Sequence, residues 1–144
     1  MQIEVIKGTG DPEASRVVDG LIAYNLGFAA PRNGRHFTLV AREDGRLLGG
    51  LNAAIEWDWL YVRHLWVEEK ERKRGLGRML MERAESEARA RDCRHAYVDT
   101  FSFQAPGFYE RLGYERFAVL DDFPPGYHRI FYVKKYLAEM PRIS

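Results

Sequence analysis

Tyr61-Val62-Arg63-His64-Leu65-Trp66-Val67, then Arg72-Lys73-Arg74-Gly75-Leu76-Gly77, then Leu76 to Arg91: this succession of an apolar run, a basic glycine turn and an amphipathic segment decides the fold. The first piece reads as a strand. The third reads as a helix, with Leu76, Leu80, Ala84 and Ala88 on one stripe, Met79 beside it, and the pairs Glu85–Arg89 and Glu87–Arg91 on the outer face. Two glycines one residue apart, where a helix opens, let the backbone approach a ligand and leave N–H groups unpaired at the helix's positive end. Such an end binds phosphate. A solvated charged loop that merely starts a helix would use the same residue types, so the rest of the chain must discriminate.

C-terminal to the helix, His95 to Phe101 is a strand reached through a crossover, so it should lie parallel to Tyr61–Val67 in a βαβ unit. N-terminal to the turn, Phe37–Ala41, the Glu43-Asp44-Gly45 turn, Leu47–Ile55, a break at Glu56-Trp57-Asp58 and Trp59–Val67 read as an antiparallel meander. Further back, Gln2–Ile6 alternates as a first strand. Asp11-Pro12-Glu13 caps a helix carrying Val17, Val18, Leu21 and Ile22 to about Asn25, and Leu26–Gly34 reads as a loop or a short distorted helix that could border a substrate site. At the other end Phe108–Leu112 is a short helix closed by Gly113, Tyr114–Leu120 a strand, Asp121–Gly126 a loop, and His128–Tyr136 a final strand before a polar tail. The expectation is one α+β domain over 1–144, with a mixed, mostly antiparallel sheet of about six to seven strands flanked by about four helices.

A chain of 144 residues that is 46% hydrophobic can build a core. Its net charge of +1, from 22 basic and 21 acidic residues, supplies no overall field for nucleic acid or an anionic membrane, so anion binding must be local. One cysteine, Cys93, excludes an internal disulfide and a cysteine-rich zinc site and fits a reducing compartment such as the cytoplasm; it reads as a small buried hydrophobe. No apolar run is long enough to span a bilayer.

Spacing separates the phosphate-site readings. A dinucleotide fingerprint needs a third glycine where Leu80 stands, and a Walker loop needs Lys-Ser/Thr where Arg78-Met79 stand. What remains is a basic residue, two residues, Gly, one residue, Gly, placed after a meander. Arg72–Gly77 resembles the central motif of the GNAT superfamily of acyl-CoA-dependent N-acyltransferases, which is Gln or Arg, two residues, Gly, one residue, Gly or Ala. Leu65-Trp66-Val67 looks like the strand before that motif. Phe108-Tyr109-Glu110-Arg111-Leu112-Gly113-Tyr114 looks like the family's later Tyr-Glu-Lys-Leu-Gly-Phe segment. The order of elements fits over nearly the whole chain, least in 11–35, a region that usually shapes the acceptor site in that family.

The resemblance implies acetyl-CoA as co-substrate, no metal, and direct transfer to a primary amine, with a small-molecule acceptor expected. It is compatible with a homodimer and gives no role to nucleic acid or membrane. Backbone N–H groups from Arg72 through Lys73, Arg74, Gly75, Leu76 and Gly77 to Arg78 would bind pyrophosphate, and Leu65, Trp66 and Val67 would pair with pantetheine. Where the family commonly has Asn, this chain has Ser102, so either Ser102 or Gln104 replaces that contact to pantetheine or the contact is missing. Tyr109 is the candidate acid for the leaving thiolate, against a role in packing alone. Glu56 and His64 are the first candidates for the base, ahead of Asp58 and His128, although for all four the structural reading is the stronger one, Glu56 and Asp58 as solvated turn residues and His64 as an ordinary strand residue. Among aromatic residues, Tyr24, Phe28, Trp57, Trp59, Phe123 and Tyr127 could frame an acceptor, and Asp121-Asp122 could attract an ammonium. Rival readings are a non-catalytic acyl-CoA sensor, a protein-modifying acetyltransferase and a purely interacting protein.

Overall fold

Asp44 and Gly45 take φ of 52° and 78°, the left-handed pair that reverses a hairpin with the twist of its strands. Through this turn β1 (Arg35–Glu43) returns as β2 (Arg46–Glu56). Trp57, also at φ 52°, turns β2 into β3 (Trp59–Val67). A single 3-10 turn (Glu69–Glu71) and the basic glycine loop lead into α2 (Leu76–Ala90), which crosses to β4 (His95–Phe101). The short helix α3 (Gly107–Arg111), β5 (Glu115–Asp121) and β6 (His128–Lys134) complete the sheet. The computed structural model describes residues 1–8, 10–32, 34–135 and 137. It separates into two units, residues 1–32 and 33–144. The first holds α1 (Pro12–Asn25), opened by Asp11, whose carboxylate accepts the Glu13 N–H at 2.8 Å.

The strand order is β1-β2-β3-β4-β6-β5, and every neighbouring pair is antiparallel except β3–β4. One face carries the core. Leu60 and Val62 of β3, Ala96 and Val98 of β4, and Ile130 and Tyr132 of β6 are buried there with Leu80, Met81, Ala84 and Ala88 of α2. Alternation then turns Trp59 and Tyr61, Tyr97 and Asp99, and Arg129 and Phe131 to the opposite face.

Three expectations are corrected. Residues 2–6 alternate like a strand but form no ladder, because an alternating pattern becomes a strand only where a partner edge takes its hydrogen bonds. In α2, Met81 is fully buried and Met79 is 63% exposed. Glu85 and Arg89 are likewise inside rather than on the outer face: Glu85 accepts hydrogen bonds from Lys134 and from the Tyr114 hydroxyl, both at 2.9 Å. The Glu87–Arg91 pair does form on the surface at 2.8 Å. Tyr136 and residues 138–144 of the polar tail lie outside the described residues.

Candidate active site

The parallel ladder of β3 and β4 is short. It runs from Trp59↔His95 to Val62↔Val98 and stops. Beyond that point β2 still holds β3 as far as Gly49↔Val67, while β6 holds β4 as far as Phe101↔Arg129. The two central strands therefore part, and their facing edges are open. A bulge starts the divergence: Asn52 opposes His64 and Ala53 opposes Val62, so Arg63 is extra. The extra residue bends the strand and reverses its parity. His64 and Trp66 turn to the face away from α2, and Leu65 and Val67 pack against the core.

Backbone directions follow from the flanking bonds. The Glu68 N–H donates to Leu48 O at 2.9 Å, toward β2. Peptide groups alternate between the two edges of a strand, so the N–H groups of Val67 and Leu65 face the gap. The Val67 carbonyl accepts from Arg72 Nε at 3.1 Å. Across the gap, the Ser102 N–H donates to His128 O at 2.9 Å, which turns Phe101 toward the opening. Gln104 Oε1 accepts that Phe101 N–H at 3.0 Å and the Thr100 hydroxyl at 3.1 Å. Ser102 Oγ accepts from the His128 N–H at 3.0 Å. Both polar candidates on this edge thus brace the chain leaving β4.

At the mouth of the gap, Gly75 is the N-cap of α2 with φ 79° and ψ 10°, and it supplies no side-chain cap. The first bond inside the helix is Met79 N–H to Gly75 O, so the N–H groups of Leu76, Gly77 and Arg78 remain available to an anion. Gly75 is open around its Cα, with nothing within 4 Å of an added Cβ. Gly77 is tight: an added Cβ would lie 3.3 Å from the Phe108 ring and 3.9 Å from a Val67 methyl. These contacts bring the turn, the open edge of β3 and α3 together. Of the basic side chains, Arg74 pairs with the buried Glu71, Arg78 with Glu82 at 2.8 Å, and Arg72 with Val67 O. Lys73 has no such partner among the described residues.

Tyr109 projects from α3 into the core beside the gap and is 7% exposed. Its ring packs on Phe108, Tyr114 and Tyr132 at 5.1, 6.1 and 5.8 Å. Tyr114 and Tyr132 donate to Glu85 and Glu110, whereas the Tyr109 hydroxyl makes no hydrogen bond among the described residues. Burial, and then the charge of Asp99, push its phenol up to about 12. Asp99 is the first β4 residue past the last paired couple.

An open βαβ vertex, an uncapped helix end beside it and a tyrosine at the opening define a recognisable arrangement, and the chain's resemblance to other proteins agrees. Residues 11–114 match the acetyltransferase (GNAT) family. The chain belongs to that family. Its members are acyltransferase enzymes. A blasticidin-S acetyltransferase of Streptomyces morookaense is 47% identical over 90 residues, which cover 62% of this chain and 66% of that one, just under two thirds of the relative's length. An acetyltransferase of Agrobacterium fabrum is 36% identical over 124 residues, 85% of this chain and 90% of its own. Among solved structures, an acetyltransferase from Bacillus cereus superposes with a TM-score of 0.84 at 29% identity, covering 92% of this chain and 97% of that one.

In this GNAT chain the two base candidates are far apart along the β2–β3 ladder. His64 is exposed beside the gap, its Nδ1 3.3 Å from Asn52 Nδ2, and Asn52 Oδ1 accepts from the Thr38 hydroxyl at 2.7 Å. Glu56 ends β2 opposite Trp59, at the other end of the paired segment, where it lines a cavity of about 560 Å³ with Trp57, Trp59, Tyr97 and Phe117. Asp121 pairs with His128 at 2.9 Å and Asp122 accepts the Gly126 N–H, so both stabilise their own loop. Cys93 is 1% exposed and burial lifts its thiol to about 11, which leaves it protonated and inert. No group of three or more metal-ligating side chains occurs among the described residues, and none of their helices is long and apolar enough to cross a membrane.

Sequence reasoning missed Tyr61, Asp99 and Arg129. Tyr61 donates to Asp99 Oδ2 at 2.8 Å, and Arg129 donates to Asp99 Oδ1 through Nε and Nη2 at 2.9 and 2.8 Å. The available signal was an acid on one strand and a base on another, and only their register reveals that they meet.

Proposed function

We propose that this chain is an acetyl-CoA-dependent N-acetyltransferase that transfers the acetyl group directly to a primary amine of a small molecule, in the cytoplasm, with the whole chain serving as one catalytic domain. The observation that carries the reading is the open edge of β3 at Leu65–Val67, facing the uncapped N-terminus of α2 and the Tyr109 side chain. The family match runs across residue 32, which supports treating both units as one domain.

Acetyl-CoA supplies the acetyl group as an activated thioester. The N–H groups of Leu76, Gly77 and Arg78 receive its pyrophosphate, where the helix end contributes partial positive charge and Lys73 adds a full one. The N–H groups of Leu65 and Val67 take the amides and the carbonyl that line the gap, which requires no particular side chain. The Tyr109 hydroxyl donates to the sulfur. With its phenol at about 12, transfer to a thiolate of ordinary pKa near 8.5 is uphill by roughly 3.5 pH units. Tyr109 therefore stabilises the departing sulfur as a hydrogen-bond donor. His64, beside the gap, is the proposed base, acting through water; Glu56 is too far along the ladder.

The test is thiol release from acetyl-CoA over a panel of amines that begins with blasticidin S, the substrate named for the relative at 47% identity. One thiol released per acetylated amine is expected. Tight coenzyme A binding with no turnover on any amine would favour the sensor reading instead.

A further inference from the structure

The gap has two sides. Tyr109, Phe108 and the start of α2 lie on the core side of the sheet, where the donor would sit. On the opposite face, at the same vertex, stands the Tyr61–Asp99–Arg129 cluster, with side chains of Asp99 and Arg129 only 14% and 28% exposed. Tyr61 precedes the last paired residue of β3, and Asp99 follows the last paired residue of β4, so their hydrogen bond bridges the strands where they part.

The polarity of this bridge is fixed. Both Arg129 contacts reach Oδ1 of Asp99 and leave Oδ2 to accept from Tyr61. Tyr61 therefore spends its one proton on Asp99, and what remains on its oxygen is acceptor capacity. Its ring is immobilised by stacking on Tyr97, with centroids 4.5 Å apart and planes 7° apart, and Arg63 lies over the ring at 6.0 Å rather than at the hydroxyl. The phenol is held protonated, pushed up to about 12 by burial and by Asp99.

We propose that Tyr61, oriented by Asp99 and Arg129, is the residue that receives the N–H of the acceptor amine, on the face of the gap opposite Tyr109. A phenol limited to accepting selects a donor. It favours an amine over a carbonyl or ether oxygen at the position of attack and holds the nitrogen lone pair toward the gap. Asp99 is a positioning residue that sets the direction of the Tyr61 bond. The inference rests on the acetyltransferase reading above.

The experiment measures KM for both substrates in wild-type protein, Tyr61→Phe and Asp99→Asn, using an amine that the wild type acetylates. Tyr61→Phe removes the acceptor oxygen and should raise the amine KM about tenfold, the worth of one hydrogen bond, with the acetyl-CoA KM unchanged. Asp99→Asn should do at least as much while keeping the fold. Its amide oxygen must stay on Arg129, so its NH₂ faces Tyr61 and turns the phenol proton outward, reversing the polarity. An unchanged amine KM in Tyr61→Phe, or an equal rise for both substrates, overturns the inference. A wild-type protein that acetylates no amine overturns the acetyltransferase reading itself.

Discussion

Tyr109→Phe removes one oxygen from a side chain that is 7% exposed and whose hydroxyl has no hydrogen-bond partner among the described residues. The ring, packed against Phe108, Tyr114 and Tyr132, keeps its contacts. The hydroxyl lacks a protein partner but is not sealed from solvent, so it carries no buried-polar penalty and its loss should leave Tm within a few degrees of that of wild type. Activity should fall. One preorganised hydrogen-bond donor to charge that develops in the transition state is worth about 10²- to 10³-fold, and kcat at saturating acetyl-CoA and amine should fall within that range while acetyl-CoA affinity holds. The phenol at about 12 is ionised to only about one part in 10⁴ at pH 8, so the wild-type donor is intact throughout the assay. Thiol release and a thermal melt, run on the same preparations, read both quantities. A kcat within about twofold of wild type, or a parallel loss of kcat and Tm, would return Tyr109 to packing and refute the reasoning.

Gly75→Glu should weaken acetyl-CoA binding by at least about a hundredfold in a calorimetric titration, since it sets a carboxylate at an anion-binding helix end. Gly75→Ala meets no atom within 4 Å and should cost about 1–2 kcal/mol in a melt, because φ is 79° there. Lys134→Met should lower stability by about 3–5 kcal/mol, because Lys134 and Glu85 side chains are 10% and 6% exposed and the carboxylate would be left without its cation. Stability should also fall in alkali. Tyr109 and Tyr114 have folded pKa values raised by burial, the first to about 12, so their contribution is intact below pH 10 and lost as pH rises toward 12. Tyr109 alone accounts for about 2.7 kcal/mol of that loss; denaturant melts at pH 9 and 11.5 that coincide would contradict it.

Much of this was legible in local chemistry. Asp44-Gly45 encodes a hairpin by conformation alone, the spacing of Gly75 and Gly77 encodes an uncapped helix start, and a helix between two apolar runs forces the parallel pair. What escaped depends on partners remote in the chain. Glu85 and Arg89 look like surface charges until Lys134, 49 residues on, is placed beside Glu85. Gln2–Ile6 has the period of a strand, but period alone does not make a ladder. The bulge at Arg63 leaves no local signature, yet it turns His64 and Trp66 away from α2 and starts the divergence of β3 from β4. Tyr61, Asp99 and Arg129 come from three strands and meet only through the registers β3–β4 and β4–β6.

The claim on which the account rests is that the divergence of β3 and β4 holds the cofactor. An amide NMR titration of the full chain with coenzyme A tests it most directly. The N–H signals of Leu65, Val67, Leu76, Gly77 and Arg78 should move together along one saturable curve, with those of β1 and β5 unchanged. Saturable binding that leaves Leu65, Val67 and Gly77 unmoved would contradict it.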